Sequence, residues 1–282
     1  MKNRNEMRTG LLFLLPSMAG IAVFFIVPFV ISVSYTFSST SGSFNFAGLS
    51  NYVSLFSSVS FRQAFANTSL FIVCGMAALL VLGLPFAVIL DRLMGRRSRM
   101  ASAGLIPMVI PTSAISLFIH ILFERYGVLN GILAAAGSDT VIWKQAYPFV
   151  ILLLIYMWKN LGYHILVYYA GLRSLEKTLL EEAESVGCNR WQLFIYIQLP
   201  HLRSFISFSA VLAIIGVFRV YRESYMLFGE YPPSSVYMIQ NFLNNNFYNL
   251  NFQRLSTASF FLILPLSVIQ LTVLMLGRDE NE

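Results

Sequence analysis

Six long apolar runs constrain this chain more than any other feature. They cover roughly 11–37, 65–90, 101–123, 147–170, 203–228 and 258–277. A run of about 20 apolar residues, wound as α-helix, crosses the ~30 Å hydrocarbon core of a bilayer. Inside lipid every backbone N–H and C=O must find a partner within the protein, which limits spans to helices and closed barrels. Unbroken apolar character selects helices here. The chain therefore reads as an all-α, polytopic membrane protein: one domain over 1–282 with six transmembrane helices. Composition agrees, with 57% hydrophobic and only 11% charged residues. A soluble domain carries about 25% charged residues. The net charge of +6 sits beside the apolar runs, where it sets orientation, so nucleic-acid binding is excluded.

Lys2, Arg4 and Arg8 precede the first run, which is much longer than the ~7–15 residues of a signal-peptide core, and it reads as a retained span. With the N-terminus placed in the cytoplasm, the inside segments carry Lys2, Arg4, Arg8, Arg92, Arg96, Arg97, Arg99, Arg173, Lys177, Arg190, Arg203 and Arg278. The outside segments carry Arg62, Arg125, Lys144, Arg222 and Arg254, giving twelve against five. Both termini are expected in the cytoplasm of a cell-membrane protein. Pro16, Pro28, Pro85, Pro107, Pro111, Pro148 and Pro265 lie within or beside spans. They fit kinked helices around a cavity, and equally ordinary bundle packing.

The outer segments 38–63 and 229–257 are polar but nearly uncharged, the second rich in asparagine, and turns are expected there. Asn67-Thr68-Ser69 matches a glycosylation sequon and reads as coincidence. Cys74 and Cys188 fall too far apart on this topology to form a disulfide. His120, His164 and His201 lack metal-ligand spacing, so no metal site is expected.

Segment 173–200 departs from the rest. It is polar and charged, lies between two spans, and faces the cytoplasm on this topology. Leu175, Leu179, Leu180, Ala183 and Val186 recur at helical spacing, with Glu176, Glu181 and Glu184 on the opposite face. Gly187 permits the turn that ends a helix. Asn189 is positioned to cap a second helix carrying Trp191, Phe194, Ile195 and Leu199, which Pro200 is expected to stop. One reading is a helix lying on the membrane surface, although such helices favour Lys and Arg on the polar face. The other is a helix that inserts into a groove of a soluble partner.

The order Glu181, Glu182, Ala183, then Gly187, then Ile197, Leu199 and Pro200 resembles the EAA loop of ABC-importer permeases, with its spacing intact. Three residues depart from that pattern: Glu182 stands where the family usually has Ala, Val186 where it has Asp, and Glu176 where Pro is common. The resemblance extends along nearly the whole chain. It includes Leu14-Leu15-Pro16-Ser17, Phe24 to Pro28, Gly48 to Tyr52, Pro107 with Pro111, Tyr126 to Asn130, and Trp158 to Gly162. These positions look like the first, maltose-F-type permease of carbohydrate importers, in the branch that also serves glycerol 3-phosphate.

That resemblance implies the type I importer permease fold with a cytoplasmic coupling helix. It implies a second permease subunit, a cytoplasmic ABC ATPase dimer that uses ATP and Mg²⁺, an extracytoplasmic solute-binding protein and a sugar substrate, with the permease itself non-catalytic. No cofactor is expected on this chain. Its one Lys-Thr pair, Lys177-Thr178, has Glu176 where a phosphate-binding loop needs Gly. The alternatives are a permease for a non-sugar solute such as a polyol or sugar phosphate, or a passive channel. An intramembrane enzyme would need a catalytic set, and no Asp falls within the spans.

For a substrate path, Gly216, Phe218, Arg219, Tyr221 and Glu223 in the fifth span are the candidates, with Asn160 and Tyr163 in the fourth. A charge at membrane depth is costly and faces a cavity or a partner. Arg219 and Glu223 lie four apart and are expected to pair along one face. That pair fits either a snorkelling structural role or a substrate contact. Arg219 and Arg222 depart from the neutral or acidic residues of related permeases and favour an anionic sugar.

Overall fold

The computed structural model describes residues 13–40, 43–94 and 106–276. Lys2, Arg4, Arg8, Arg96, Arg97, Arg99, Arg278 and the first residues of the expected third span lie outside them. Helix α1 (Phe13–Thr36) is followed by a hairpin of β1 (Ser38–Thr40) and β2 (Ser43–Phe46), then α2 (Ser50–Ser57). Next come α3 (Val59–Met94), α4 (Thr112–Phe123), α5 (Val128–Ala135) and α6 (Pro148–Ser174). The chain continues through α7 (Lys177–Ser185), α8 (190–201), α9 (Arg203–Arg219), α10 (Tyr221–Phe228), α11 (Ile239–Tyr248) and α12 (Phe252–Leu276). Six helical stretches among the described residues are long and apolar enough to cross a membrane: Phe13–Thr36, Val59–Arg92, Thr112–Ala135, Pro148–Ser174, Arg203–Phe228 and Phe252–Met275. The protein is a multi-pass membrane protein. At 36 residues α3 is about 54 Å long, well beyond the bilayer core.

The chain divides into two compact units. The first runs to Arg62 and takes in Leu243–Pro265. Here Ser32 Oγ donates to Ser256 Oγ at 3.0 Å, and Phe29 packs on Phe260 with ring centroids 5.4 Å apart. Asn51 Nδ2 donates to the carbonyls of Thr36 and Ser38 (3.0 and 2.9 Å), tying α2 to the end of α1.

The second unit, Gln63–Phe242 with Leu266 onward, holds the helices that build the sites described below. Its packing follows the rule for helices in lipid, where small residues let backbones approach. A Cβ at Gly75 would sit 2.8 Å from the Tyr156 ring, and one at Gly83 2.8 Å from the Tyr168 ring, so α3 lies close against α6. A Cβ at Gly171 would lie 2.6 Å from Leu202, where α6 meets the start of α9. One apolar cluster gathers Phe71, Leu79, Leu152, Tyr156, Ala213 and Val217; another gathers Leu84, Ala87, Tyr168, Leu172 and Leu202. Several buried polar groups between α6 and α9 are paired. Tyr156 donates to the Ala213 carbonyl at 2.7 Å, and His164 and Tyr168 both meet the Ser209 hydroxyl. His164 is thus a packed bundle histidine.

Several local features explain motifs noted in the sequence. Asn130 is buried and ties together the α4–α5–α6 connection. Its Nδ2 donates to the carbonyls of Glu124, Arg125 and Val141, and its Oδ1 accepts from the Val141 N–H and the Trp143 indole. Asn67 Nδ2 donates to the carbonyls of Ser234 and Tyr237 at 2.7 and 2.9 Å, a structural use that fits a coincidental sequon. The expected third span is broken. One helical turn at Ile106–Val109 precedes α4, because Pro111 lacks an N–H and sits in extended conformation (φ −58°, ψ 142°). The asparagine-rich segment 229–257 was expected to form turns, and ten of its residues form α11, with Asn241 and Asn245 buried one helical turn apart.

Candidate functional site

Midway along α6, a cavity of about 180 Å³ opens between α6, the start of α4 and the α9–α10 junction. Thr112, Ile155, Tyr156, Lys159, Asn160, Gly216, Arg219, Val220, Arg222 and Glu223 line it. Glu223 is buried, and its Oε1 accepts from Lys159 Nζ at 2.6 Å and from Thr112 Oγ1 at 3.3 Å. Three helices therefore meet at one carboxylate. The α9–α10 junction is set by Val220, whose N–H bonds back three residues to Val217 and tightens the helix by a fraction of a turn.

Segment 173–200 leaves this bundle as two short helices, α7 and α8. Arg173 Nε pairs with Asp91 Oδ1 at 2.7 Å, anchoring its base to α3. Helix α7 ends in a Schellman arrangement: the Cys188 N–H bonds the Ala183 carbonyl, and the Gly187 N–H bonds that of Glu184 (3.1 and 3.0 Å). Gly187 has φ +91°, with open space around the position of a Cβ, so backbone conformation is what calls for glycine there. Asn189 then starts α8 with a full capping box: the Asn189 side chain accepts from the Gln192 N–H, and the Gln192 side chain accepts from the Asn189 N–H, both at 2.9 Å. Val186, Trp191 and Tyr196 stand exposed, as do Glu181 and Glu182, while Ala183, Ile197 and Leu199 are half-buried.

Pro200 does not stop α8, contrary to expectation. Residues Phe194–Gln198 form a π turn in which the Leu199 N–H reaches back to the Phe194 carbonyl, and the helix runs through Pro200 to His201. A proline in a helix clashes with the carbonyl four residues back, and widening the preceding turn relieves that clash. The same device occurs in α1, where a π turn at Ala22–Ile26 precedes Pro28.

Residues 83–278 match the family described as binding-protein-dependent transport system inner membrane component. The chain belongs to this family. The permease is 30% identical over 233 residues to a probable ABC transporter permease protein, y4oQ, of Sinorhizobium fredii, covering 80% of this chain and 75% of that one. It is 29% identical to the trehalose/maltose transport system permease protein MalF of Thermococcus litoralis, covering 97% and 96% of the two chains. Its fold is that of a chain in the crystal structure of a bacterial ABC transporter that imports the acidic polysaccharide alginate. The TM-score is 0.79 at 22% identity, with 99% of both chains covered.

In this permease the cavity brings together Asn160, Gly216, Arg219 and Glu223 from the sequence candidates. Tyr163, Phe218 and Tyr221 do not line it. Tyr163 packs edge-on against His164, and Tyr221 lies against Tyr225. The expected Arg219–Glu223 pair is not formed. Arg219 is exposed, whereas Glu223 is buried and meets Lys159 of α6 instead. Sequence reasoning missed Thr112, Ile155, Tyr156 and Lys159 as cavity residues, while Arg222, singled out with Arg219 for an anionic sugar, does line it. Lys159, a lone cation inside an apolar run, was the signal that pointed to one of them.

Proposed function

We propose that this permease is one of two membrane subunits of an importer for a sugar or oligosaccharide. A separate cytoplasmic ABC ATPase dimer supplies the energy from ATP and Mg²⁺, the chain itself binds no cofactor, and an extracytoplasmic solute-binding protein delivers the substrate. It lies in the cell membrane with both termini in the cytoplasm. A relative named for trehalose and maltose transport supports the carbohydrate class. A polyol or sugar phosphate is the alternative cargo.

The observation that carries this reading is the exposed helix α7, held between two spanning segments by a Schellman end and a capping box. Glu181, Glu182 and Ala183 present its docking face to a cleft of the ATPase. Gly187 ends the helix, and Ile197, Leu199 and Pro200 join it to α9. When ATP closes the ATPase pair, α7 moves as a rigid body and biases a bundle that has two stable arrangements. The motion passes along α8 and α9 to the Val220 junction, which carries Gly216, Arg219 and Glu223 at the cavity. Alternating access at that cavity moves the substrate.

The test is recovery of the cognate ATPase with the permease pair in detergent. Glu181→Arg reverses charge on the docking face, and Gly187→Trp forces a bulky residue into a backbone conformation that costs about 1 kcal/mol or more outside glycine. Both are expected to lose the ATPase while the permease pair stays assembled. Undiminished recovery with both variants would sink the docking reading and favour a passive channel.

A further inference from the structure

We propose that the cavity beside Val220 takes its substrate by an acidic group, so that the cargo is an acid-bearing saccharide. This rests on the importer reading above and narrows its substrate class.

The charges that line the cavity are Lys159, Arg219, Arg222 and Glu223. The one carboxylate is already engaged by Lys159 Nζ at 2.6 Å and by Thr112 Oγ1. The other lining residues, Thr112, Ile155, Tyr156, Asn160, Gly216 and Val220, carry no charge. None of the ion pairs formed among the described residues includes Arg219 or Arg222. The cavity thus holds two guanidinium groups beyond what its own carboxylate balances. Arg219 and Arg222 are both exposed, so their guanidinium groups stand at the open rim of the cavity, within reach of an entering substrate. A guanidinium presents a planar fork of N–H donors that matches a carboxylate or phosphate in a bidentate way, and it stays charged at any physiological pH. A neutral sugar would leave both charges unpaired, whereas an acidic one pairs them without altering the Lys159–Glu223 contact that ties α6 to α10.

Size sharpens the assignment. At about 180 Å³ the cavity is smaller than the ~300–1,000 Å³ of a complete small-molecule site. It fits one sugar unit, or one end of a longer saccharide, and the acidic unit is the one that it reads. Asn160 Nδ2 donates to the Tyr156 carbonyl at 2.7 Å, which leaves its Oδ1 near Gly216 to accept from a sugar hydroxyl. Glycine at 216 keeps the wall low enough for such an approach.

The experiment uses the complete importer, with its partner permease, ATPase and binding protein, reconstituted in proteoliposomes. Uptake is measured for three probes. The first is a mixed oligouronate pool from digests of pectin, alginate and glucuronoxylan. The second is the same pool after carboxyl reduction, which keeps the sugars and removes the acid. The third is a pair of phosphates, glycerol 3-phosphate and glucose 6-phosphate. Uptake of the oligouronates or of the phosphates, with the reduced pool excluded, is expected, and the two acid probes tell carboxylate from phosphate cargo. In assembled complexes Arg219→Gln and Arg222→Gln are expected to lower that uptake roughly 10- to 100-fold, the loss of a charged hydrogen bond. The binding protein is untouched by these changes, so the loss belongs to the permease. Equal or better uptake of the reduced pool overturns the acid assignment and leaves the carbohydrate importer standing. So does full acid uptake in both variants. Uptake of no probe also overturns the acid assignment, and uptake of a neutral disaccharide such as maltose then decides the carbohydrate reading.

Discussion

The contact between Lys159 and Glu223 joins residues 64 apart in sequence, at 2.6 Å, with side-chain exposures of 20% and 7%. Removing one partner of a buried pair leaves the other charge unmatched and costs about 3–5 kcal/mol, whereas replacing both is often nearly neutral. Lys159→Met alone is therefore expected to lower the unfolding midpoint in detergent markedly, and Lys159→Met with Glu223→Gln to regain most of the loss. Arg219→Gln is expected to be mild by the same measure, because Arg219 does not partner Glu223. Losses that simply add in the double variant, or an Arg219 effect as large as that of Lys159, would show that Glu223 is held by some other contact. Local spacing could name Glu223 and Arg219 as unusual, since each is a charge in an apolar run. It could not name the partner, because an i,i+4 rule sees only one helix and Lys159 sits on another. Asn130 makes the same point with polar groups. Its place in the Tyr126 to Asn130 motif was visible, but its five hydrogen bonds reach from Glu124 to Trp143 and emerge only once the chain has turned.

Among the helices, the spans were legible because hydrophobicity in lipid is a property of a segment alone. The interruptions were less so. Pro111 broke the third run as a helix-breaking residue should, while Pro200 was absorbed by a π turn and Pro85 and Pro265 lie inside continuous helices. Whether a proline ends a helix depends on whether neighbouring turns widen to free the carbonyl behind it, and sequence does not report that. The π turn at Phe194–Gln198 inserts one extra residue into α8, which offsets helical phase by about 100° between α7 and α9. Pro200→Ala restores the missing N–H and removes the reason for the wide turn. We expect this variant to assemble normally and to be at least as heat-stable, since an interior proline costs ~3 kcal/mol. We also expect it to lose substrate-stimulated ATPase activity and uptake, because α7 then presents the wrong face to the ATPase. Wild-type coupling in Pro200→Ala would mean that the phase of α8 does not matter to the stroke.

At the scale of the whole molecule, the reading depends on which side of the membrane α7 occupies. On the expected topology twelve Lys and Arg residues share the side of α7 and four lie on the other, Arg222 being drawn into the cavity with Lys159 and Arg219, and the bias is densest in the short 91–100 segment, where Arg92, Arg96, Arg97 and Arg99 cluster. Short flanking loops follow this bias because moving each cation across the bilayer is costly. The chain supplies its own reporter. Its two cysteines are free: Cys74 lies within α3, and Cys188 stands between α7 and α8. With Cys74 replaced by Ala, a membrane-impermeant maleimide reads the position of α7 through Cys188 alone. The half-buried thiol is accessible enough to react. In intact cells with an open outer surface Cys188 is expected to stay unlabelled, and in inverted membrane vesicles to label fully. The cognate ATPase, once bound, is expected to slow that labelling, because Cys188 follows directly on the end of the docked helix. Labelling from outside intact cells would reverse the topology. It would put α7 on the wrong side for any cytoplasmic engine, and would turn the α4–α5 turn, with Glu124 held by Lys144 and His120, toward the cytoplasm.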